Sequence, residues 1–173
     1  MSHSYGKLVS LLLVFLLGSA AALAGPVSKR EVLAAIAVIE KDVTSDAAPE
    51  AAATVTRFGE ESDAVLITIG PETMPWLTDD APTAELAPRA MLTAAYFAGN
   101  IKAQLMRGRC NDDPYSGWLF VLTAYQQIRR KQPELIIPEV EEMADQEQTG
   151  ILRSRADTIW QQEDELVRRA NTV

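Results

Sequence analysis

The fold is decided by the stretch LAPRAMLTAAYFAGNIKAQLMRG, residues 86–108. At about 100° per residue, a helix arranges these side chains in rows along its surface. The apolar row consists of Ala87, Met91, Ala94, Ala98, Ile101 and Leu105. A second row, Ala95, Gly99 and Ala103, carries only small residues and lets another backbone come close. A helix with two packing faces is expected to lie buried at the centre of the domain.

A third row of the same helix is polar. It consists of Thr93, Tyr96, Asn100, Gln104 and Arg107. One hypothesis is that Tyr96, Asn100, Gln104 and Arg107 line a groove and hydrogen-bond an extended peptide or a polar ligand. The other is that the row forms an internal network, which satisfies buried polar groups and fixes the register of the helix.

A second helix is predicted to begin after the turn at residues 107–113. Asp112 or Asp113 can cap it, and Pro114 suits its first position, where no amide donor is needed. Along it, Trp118, Leu122 and Tyr125 share one side. The narrow row beside them, which consists of Gly117, Val121, Ala124 and Ile128, is predicted to pack on Ala95, Gly99 and Ala103. The two helices then form an antiparallel hairpin that spans residues 86–131.

The rest of the chain is predicted to form further helices joined by short loops. Ser28 and Glu31 have the spacing of a capping box and start a helix over residues 27–43. Other helices are predicted over residues 50–58, 138–148 and 151–170. The last of these helices is strongly charged and has only a thin apolar face. Residues 151–173 are therefore expected either to pack on the rest of the domain or to be partly detached from it. The expected fold class is all-α, a small array of antiparallel helical hairpins around the central buried helix 86–107.

The segment AVLITIG, residues 64–70, leaves two structures open. Its β-branched residues favour a strand, but no second strand of similar strength exists to pair with it. A lone strand leaves backbone groups unpaired. The segment is therefore interpreted as a short buried helix or an extended segment packed against the hairpin. In the proline-rich loop that follows, Trp76 and Leu77 are expected to attach the chain to the core.

Residues 1–24 have the pattern of a cleaved signal peptide. Lys7 supplies the positive end, residues 8–17 form a short apolar run, and Ala22-Leu23-Ala24 fits a cleavage site. Residues 25–173 are then a single exported domain, periplasmic or secreted, with no membrane span after cleavage. The alternative is that the apolar run is retained as an N-terminal anchor. The chain has a formal net charge of −8, which argues against binding a nucleic-acid backbone.

Composition excludes several kinds of chemistry. The one histidine is His3, inside the predicted signal peptide, so the mature chain has no imidazole base or metal ligand. No cofactor motif and no metal site are expected. The acidic pairs Glu60-Glu61, Asp79-Asp80 and Asp112-Asp113 are interpreted as solvated caps. Adjacent carboxylates could otherwise serve glycoside hydrolysis or calcium binding.

Cys110 is the single cysteine of the chain, so no internal disulfide can form. It is interpreted as a residue of the hairpin loop without a functional role. The alternative is a thiol that links two copies after export.

The hairpin resembles a tetratricopeptide-type repeat. The resemblance rests on Gly117, Val121, Ala124 and Pro133 and covers residues 86–131. It implies a scaffold that binds peptide or protein in a groove, without catalysis. The expected function is a periplasmic or secreted interaction domain that binds another envelope protein or peptide. The alternatives are a carboxylate-dependent enzyme on cell-wall or sugar polymers and a small-ligand carrier.

Overall fold

The computed structural model describes residues 25–170, with side chains through residue 161. This part contains six α-helices, one 3₁₀ turn (Thr83–Glu85) and no strand. The helices are α1 (Lys29–Lys41), α2 (Ala48–Glu61), α3 (Leu86–Arg107), α4 (Pro114–Lys131), α5 (Pro138–Gln148) and α6 (Ile151–Ala170). The all-α prediction is confirmed for this part, and the predicted signal peptide lies outside the described residues. Across residues 25–170 every helix is too short or too polar to cross a bilayer.

Local sequence signals set the ends of the helices. Ser28 and Glu31 form the predicted capping box at the start of α1. Asp113 caps α4 by accepting a hydrogen bond from the Ser116 amide at 2.9 Å, and Pro114 occupies the first helical position. Gly108 ends α3 in the left-handed conformation, with φ of 64°.

The helices pack as consecutive pairs, α1 with α2, α3 with α4, and α5 with α6. Because short loops join the members of each pair, they run antiparallel. The pair α3 and α4 makes the most extensive contact, and α3 also packs on α1 and α2. Every residue of α3 from Leu92 to Ile101 is buried, as expected of the central helix. Of its apolar row, Met91 is half-buried and Ala87, in the first turn, is exposed.

The small residues bring the backbones of α3 and α4 into contact. A β-carbon added to Gly99 would lie 2.4 Å from the Ser116 carbonyl oxygen and 2.8 Å from the Phe120 β-carbon. One added to Gly117 would lie 2.6 Å from the Tyr96 ring. Both distances are too short for non-bonded atoms, so only glycine fits at these two positions.

Two tryptophans hold the segment between α2 and α3. The indole N–H of Trp118 donates to the Thr73 carbonyl at 2.7 Å, and that of Trp76 donates to the Thr93 hydroxyl at 3.2 Å. Trp76 and Trp118 are both fully buried, whereas Leu77 is half-buried. The loop is thus fixed to α3 and α4 mainly by indole rings.

The last helix is docked over the part whose side chains are described. Leu152, Ala156 and Ile159 are buried, and α6 contacts α4 and α5. The Trp160 indole N–H donates to the Asp112 carbonyl at 2.7 Å. This bond connects α6 to the hairpin loop.

Candidate functional site

The polar row of α3 is enclosed over most of its length. Tyr96 and Asn100 are fully buried and Gln104 is 2 % exposed. Arg107, at the end of the helix, has a 57 % exposed side chain. The first three residues therefore meet protein groups instead of an open groove. The Tyr96 ring packs against the rings of Trp76 and Phe97, and the hydrogen bonds of Asn100 and Gln104 show which parts of the chain these two residues connect.

Asn100 is the centre of a polar cluster that also contains Gln104, Asp112 and Asp113. Its amide nitrogen donates to Asp112 Oδ1 at 2.5 Å. Its amide oxygen accepts hydrogen bonds from the Asp113 backbone N–H at 3.1 Å and from Gln104 Nε2 at 2.6 Å. A buried amide requires such partners, because leaving one group unsatisfied costs about 1–3 kcal/mol. The cluster thereby fixes the start of α4 against the end of α3.

Gln104 binds the segment of residues 64–70 along its backbone. Its Oε1 accepts from the Leu66 N–H at 3.0 Å, and its Nε2 donates to the Leu66 carbonyl at 2.7 Å. The Thr68 N–H donates to Asp112 Oδ2 at 3.3 Å, and the Thr68 carbonyl accepts from the Thr73 hydroxyl at 2.9 Å. In a β-strand, the N–H and C=O groups of one residue point to the same side of the chain. The segment is therefore extended, and side chains take the place of a neighbouring strand.

This arrangement answers the question that the sequence left open for residues 64–70. The segment is neither helix nor part of a sheet. An extended peptide does lie against the row that contains Asn100 and Gln104, and that peptide belongs to the chain itself.

The prediction that Asp112-Asp113 is solvated is wrong. The two residues are 1 % and 2 % exposed. Asp113 both caps α4 and forms an ion pair with Arg107, while Asp112 binds Asn100 and Thr68. The partners of Asp112 lie 12 and 44 residues away in the chain, so the sequence gave no local sign that this carboxylate is buried. The other two acidic pairs are exposed.

Arg89 is a buried charge that the sequence analysis missed. It is 5 % exposed. Its guanidinium donates to Glu85 Oε2 at 2.7 and 2.9 Å, to the Trp76 carbonyl, and to Glu139 at 3.4 Å. Glu85 lies four residues earlier, a spacing that allows an ion pair on a helix. Arg89 thereby joins α3 to the proline-rich loop and to α5.

An open groove of about 440 Å³ lies between α4 and α5. This α4–α5 groove is lined by Leu122, Tyr125, Gln126, Arg129, Arg130, Pro133, Glu141 and Ala144. Glu141 accepts hydrogen bonds from the Tyr125 hydroxyl at 2.8 Å and from Arg129. The Tyr125 hydroxyl oxygen in turn accepts from the Ile137 N–H at 3.0 Å. Burial raises the pKa of the Tyr125 phenol, so it serves as a neutral donor.

Cys110 is exposed in the loop between α3 and α4, and its Sγ lies 3.7 Å from the Asp63 carbonyl oxygen. The disulfide-linked dimer stays a prediction. Within the described residues, no cluster of three or more His, Cys, Asp or Glu side chains is arranged to hold a metal ion.

No protein-family model, curated protein or solved structure matches this chain.

Proposed function

We propose that this chain is an exported, non-catalytic interaction domain that binds a partner segment in the α4–α5 groove. The observation that carries the proposal is the composition of the groove. The apolar side chains of Leu122, Pro133 and Ala144 line it together with charged and hydrogen-bonding groups. Binding sites commonly combine apolar contact area with a few polar groups that orient the ligand.

The charges of the groove favour a partner segment with an acidic residue. Arg129 is paired with Glu141, whereas Arg130 is exposed and has no ion pair among the described residues. A guanidinium binds a carboxylate through two parallel hydrogen bonds. The expected partner therefore places an apolar side chain in the groove and an Asp or Glu beside it, against Arg130.

Binding is favoured over catalysis because the groove's acid is already engaged. Hydrolysis of a sugar polymer requires two carboxyl groups about 5–10 Å apart. Glu141 is the one acidic residue among those that line the groove, and its carboxylate already accepts hydrogen bonds from Tyr125 and Arg129. The groove is also open instead of enclosed, which disfavours a small-ligand carrier.

Photo-cross-linking tests the groove in cells. A photo-reactive amino acid at Gln126, an exposed residue of the groove, is expected to give an adduct of defined mass with one envelope protein. The control position is Ala53, exposed on α2. Arg130→Glu should lower the yield of the adduct, whereas Arg30→Glu, a matched reversal on α1, should not. No adduct from Gln126, or the same adduct from both positions, contradicts the proposal.

Export is tested separately. Because the apolar run is short and is followed by Ala22-Leu23-Ala24, the mature chain is expected to begin at Gly25. N-terminal sequencing of the protein from the cell envelope checks this. An intact Met1 on that protein contradicts cleavage.

A further inference from the structure

The Glu141 carboxylate is the common acceptor of two side chains in the α4–α5 groove. The Tyr125 hydroxyl donates to Glu141 Oε1 at 2.8 Å, and Arg129 Nη1 donates to the same oxygen. Both donors lie on α4, one turn apart, whereas Glu141 lies on α5. The two donors converge on the position of a single carboxylate, so a carboxylate from another molecule could bind there in place of Glu141.

The rest of the protein orients both donors. Tyr125 is buried, and its hydroxyl oxygen accepts a hydrogen bond from the Ile137 N–H at 3.0 Å. The Arg129 guanidinium carbon lies 5.8 Å from the centre of the Tyr125 ring, within the range of a cation–π interaction. Donors that are already oriented bind a carboxylate with little loss of conformational freedom.

Glu141 uses only part of the hydrogen-bonding capacity of Arg129. It is bound by Nη1, whereas Arg129 Nε is buried and has no hydrogen-bond partner among the residues that the structure describes. A guanidinium can bind a carboxylate through two parallel hydrogen bonds. The Glu141 carboxylate is restricted by its position on α5. A carboxylate on a partner segment is free of that restriction and can meet two N–H groups at once.

The contact between Glu141 and Arg129 can also be exchanged at low cost. The side chains of Arg129 and Glu141 are 34 % and 43 % exposed. Ion pairs that reach water contribute little to the stability of a fold. Glu141 can therefore move into water while the helices stay packed, and the incoming carboxylate keeps the Arg129 charge paired.

On the basis of the function proposed above, we propose that Glu141 is an internal competitor, which occupies a carboxylate receptor formed by Tyr125 and Arg129. The partner segment then carries two acidic residues. One lies against Arg130, and the other replaces Glu141 in the receptor. Because a segment with one acidic residue cannot displace Glu141 and also pair with Arg130, the competitor makes the groove selective for the doubly acidic segment.

Acetate tests the receptor without knowledge of the partner. The Nε–H signals of the arginines are followed by NMR while acetate is added at constant ionic strength. In Glu141→Ala, the acetate concentration that shifts the Arg129 signal should be about three- to tenfold lower than in wild type, because the competitor is gone. Glu141→Gln keeps the shape of the side chain and removes its charge, so it should give a smaller change in the same direction.

The matched control for acetate binding is Glu142→Ala. It removes an exposed carboxylate from the same helix and should behave as wild type, although the net charge changes equally. A difference below about twofold between Glu141→Ala and wild type, within the range of an exchangeable surface pair, overturns the proposal. An equal gain in Glu142→Ala also overturns it, because the effect would then come from net charge.

Cross-linking from Gln126 separates this proposal from the proposed function. Glu141→Ala should raise the yield of the adduct, whereas Glu142→Ala should leave it unchanged. An adduct with the same yield in wild type and Glu141→Ala overturns the competition and leaves the binding groove supported. No adduct from any variant, together with stronger acetate binding in Glu141→Ala, contradicts the proposed function and supports the carboxylate receptor.

Discussion

Gly99 and Asn100 are neighbours in sequence and both are buried, yet they stabilise the α3–α4 pair in opposite ways. Gly99 allows the two backbones to touch and has no room for one more carbon. Asn100 fills its space and makes three hydrogen bonds. One position is sensitive to added volume and the other to lost hydrogen bonds. Substitutions that change only volume or only hydrogen bonding therefore separate the two contributions.

The largest effect is expected for Gly99→Leu. The new side chain would have to occupy the space of the Ser116 backbone, which cannot move without displacing α4. We expect the free energy of unfolding to fall by at least about 3 kcal/mol, as measured by chemical denaturation. Gly99→Ala should give a smaller loss in the same direction. Thermal melting of Gly99→Leu within about 2 °C of wild type would refute the close contact.

Asn100→Ala is expected to have the next largest effect. It removes one hydrogen-bond partner each from the Asp112 carboxylate, the Asp113 N–H and the Gln104 amide within a buried cluster. The expected loss is about 1–3 kcal/mol by chemical denaturation. Gln126→Ala, at an exposed position of α4, serves as the control with no expected loss. A loss below about 0.5 kcal/mol at Asn100, the range of surface positions, contradicts the internal network and restores the hypothesis of a binding groove.

Gln104→Met sharpens the comparison, because it keeps the volume of the side chain and removes its hydrogen bonds. We expect a loss of about 1–2 kcal/mol. Hydrogen exchange should locate the effect, since the Leu66 amide loses its acceptor while the amides of α4 keep theirs. If the Leu66 amide exchanges at the same rate in the variant and in wild type, Gln104 does not hold the segment.

The smallest effect is expected for Arg107→Ala. The Arg107 side chain is more than half exposed, whereas its partner Asp113 is buried. Water screens the arginine, so the pair should contribute less than about 1 kcal/mol. Asp113 keeps its bond to the Ser116 amide in the variant. Denaturation at low and high salt checks the result, and a loss comparable to that of Asn100→Ala would place Arg107 within the cluster.

The helices could be predicted because their signals are local. The capping box at Ser28, the Asp113-Pro114 start of α4 and the row spacing of α3 each depend on residues within one or two turns. The close helix contact at Gly99 and Gly117 could be predicted for the same reason, since small residues at regular spacing indicate close packing.

The hydrogen-bonding partners could not be predicted, because they lie far apart in the chain. Leu66 is 38 residues from Gln104, and Thr68 is 44 residues from Asp112. The hydrogen-bonding capacity of Asn100 and Gln104 was apparent from the sequence, but the segment that uses it was not. For Arg89 the local partner Glu85 was visible, whereas burial depends on Trp76 and Glu139.

From the bond between Gln104 and Leu66 we also expect an order of folding. A strand can begin to pair as soon as its neighbour is extended, but the Gln104 amide is in position only when α3 and α4 have come together. The hairpin depends on contacts between residues close in sequence, which are expected to form early. The segment of residues 64–70 can dock only after α3 and α4 have formed the surface that it binds. Substitutions at Gly99 should therefore slow folding, and substitutions at Leu66 should mainly accelerate unfolding. Until the segment docks, the chain exposes an apolar stretch that another molecule could contact.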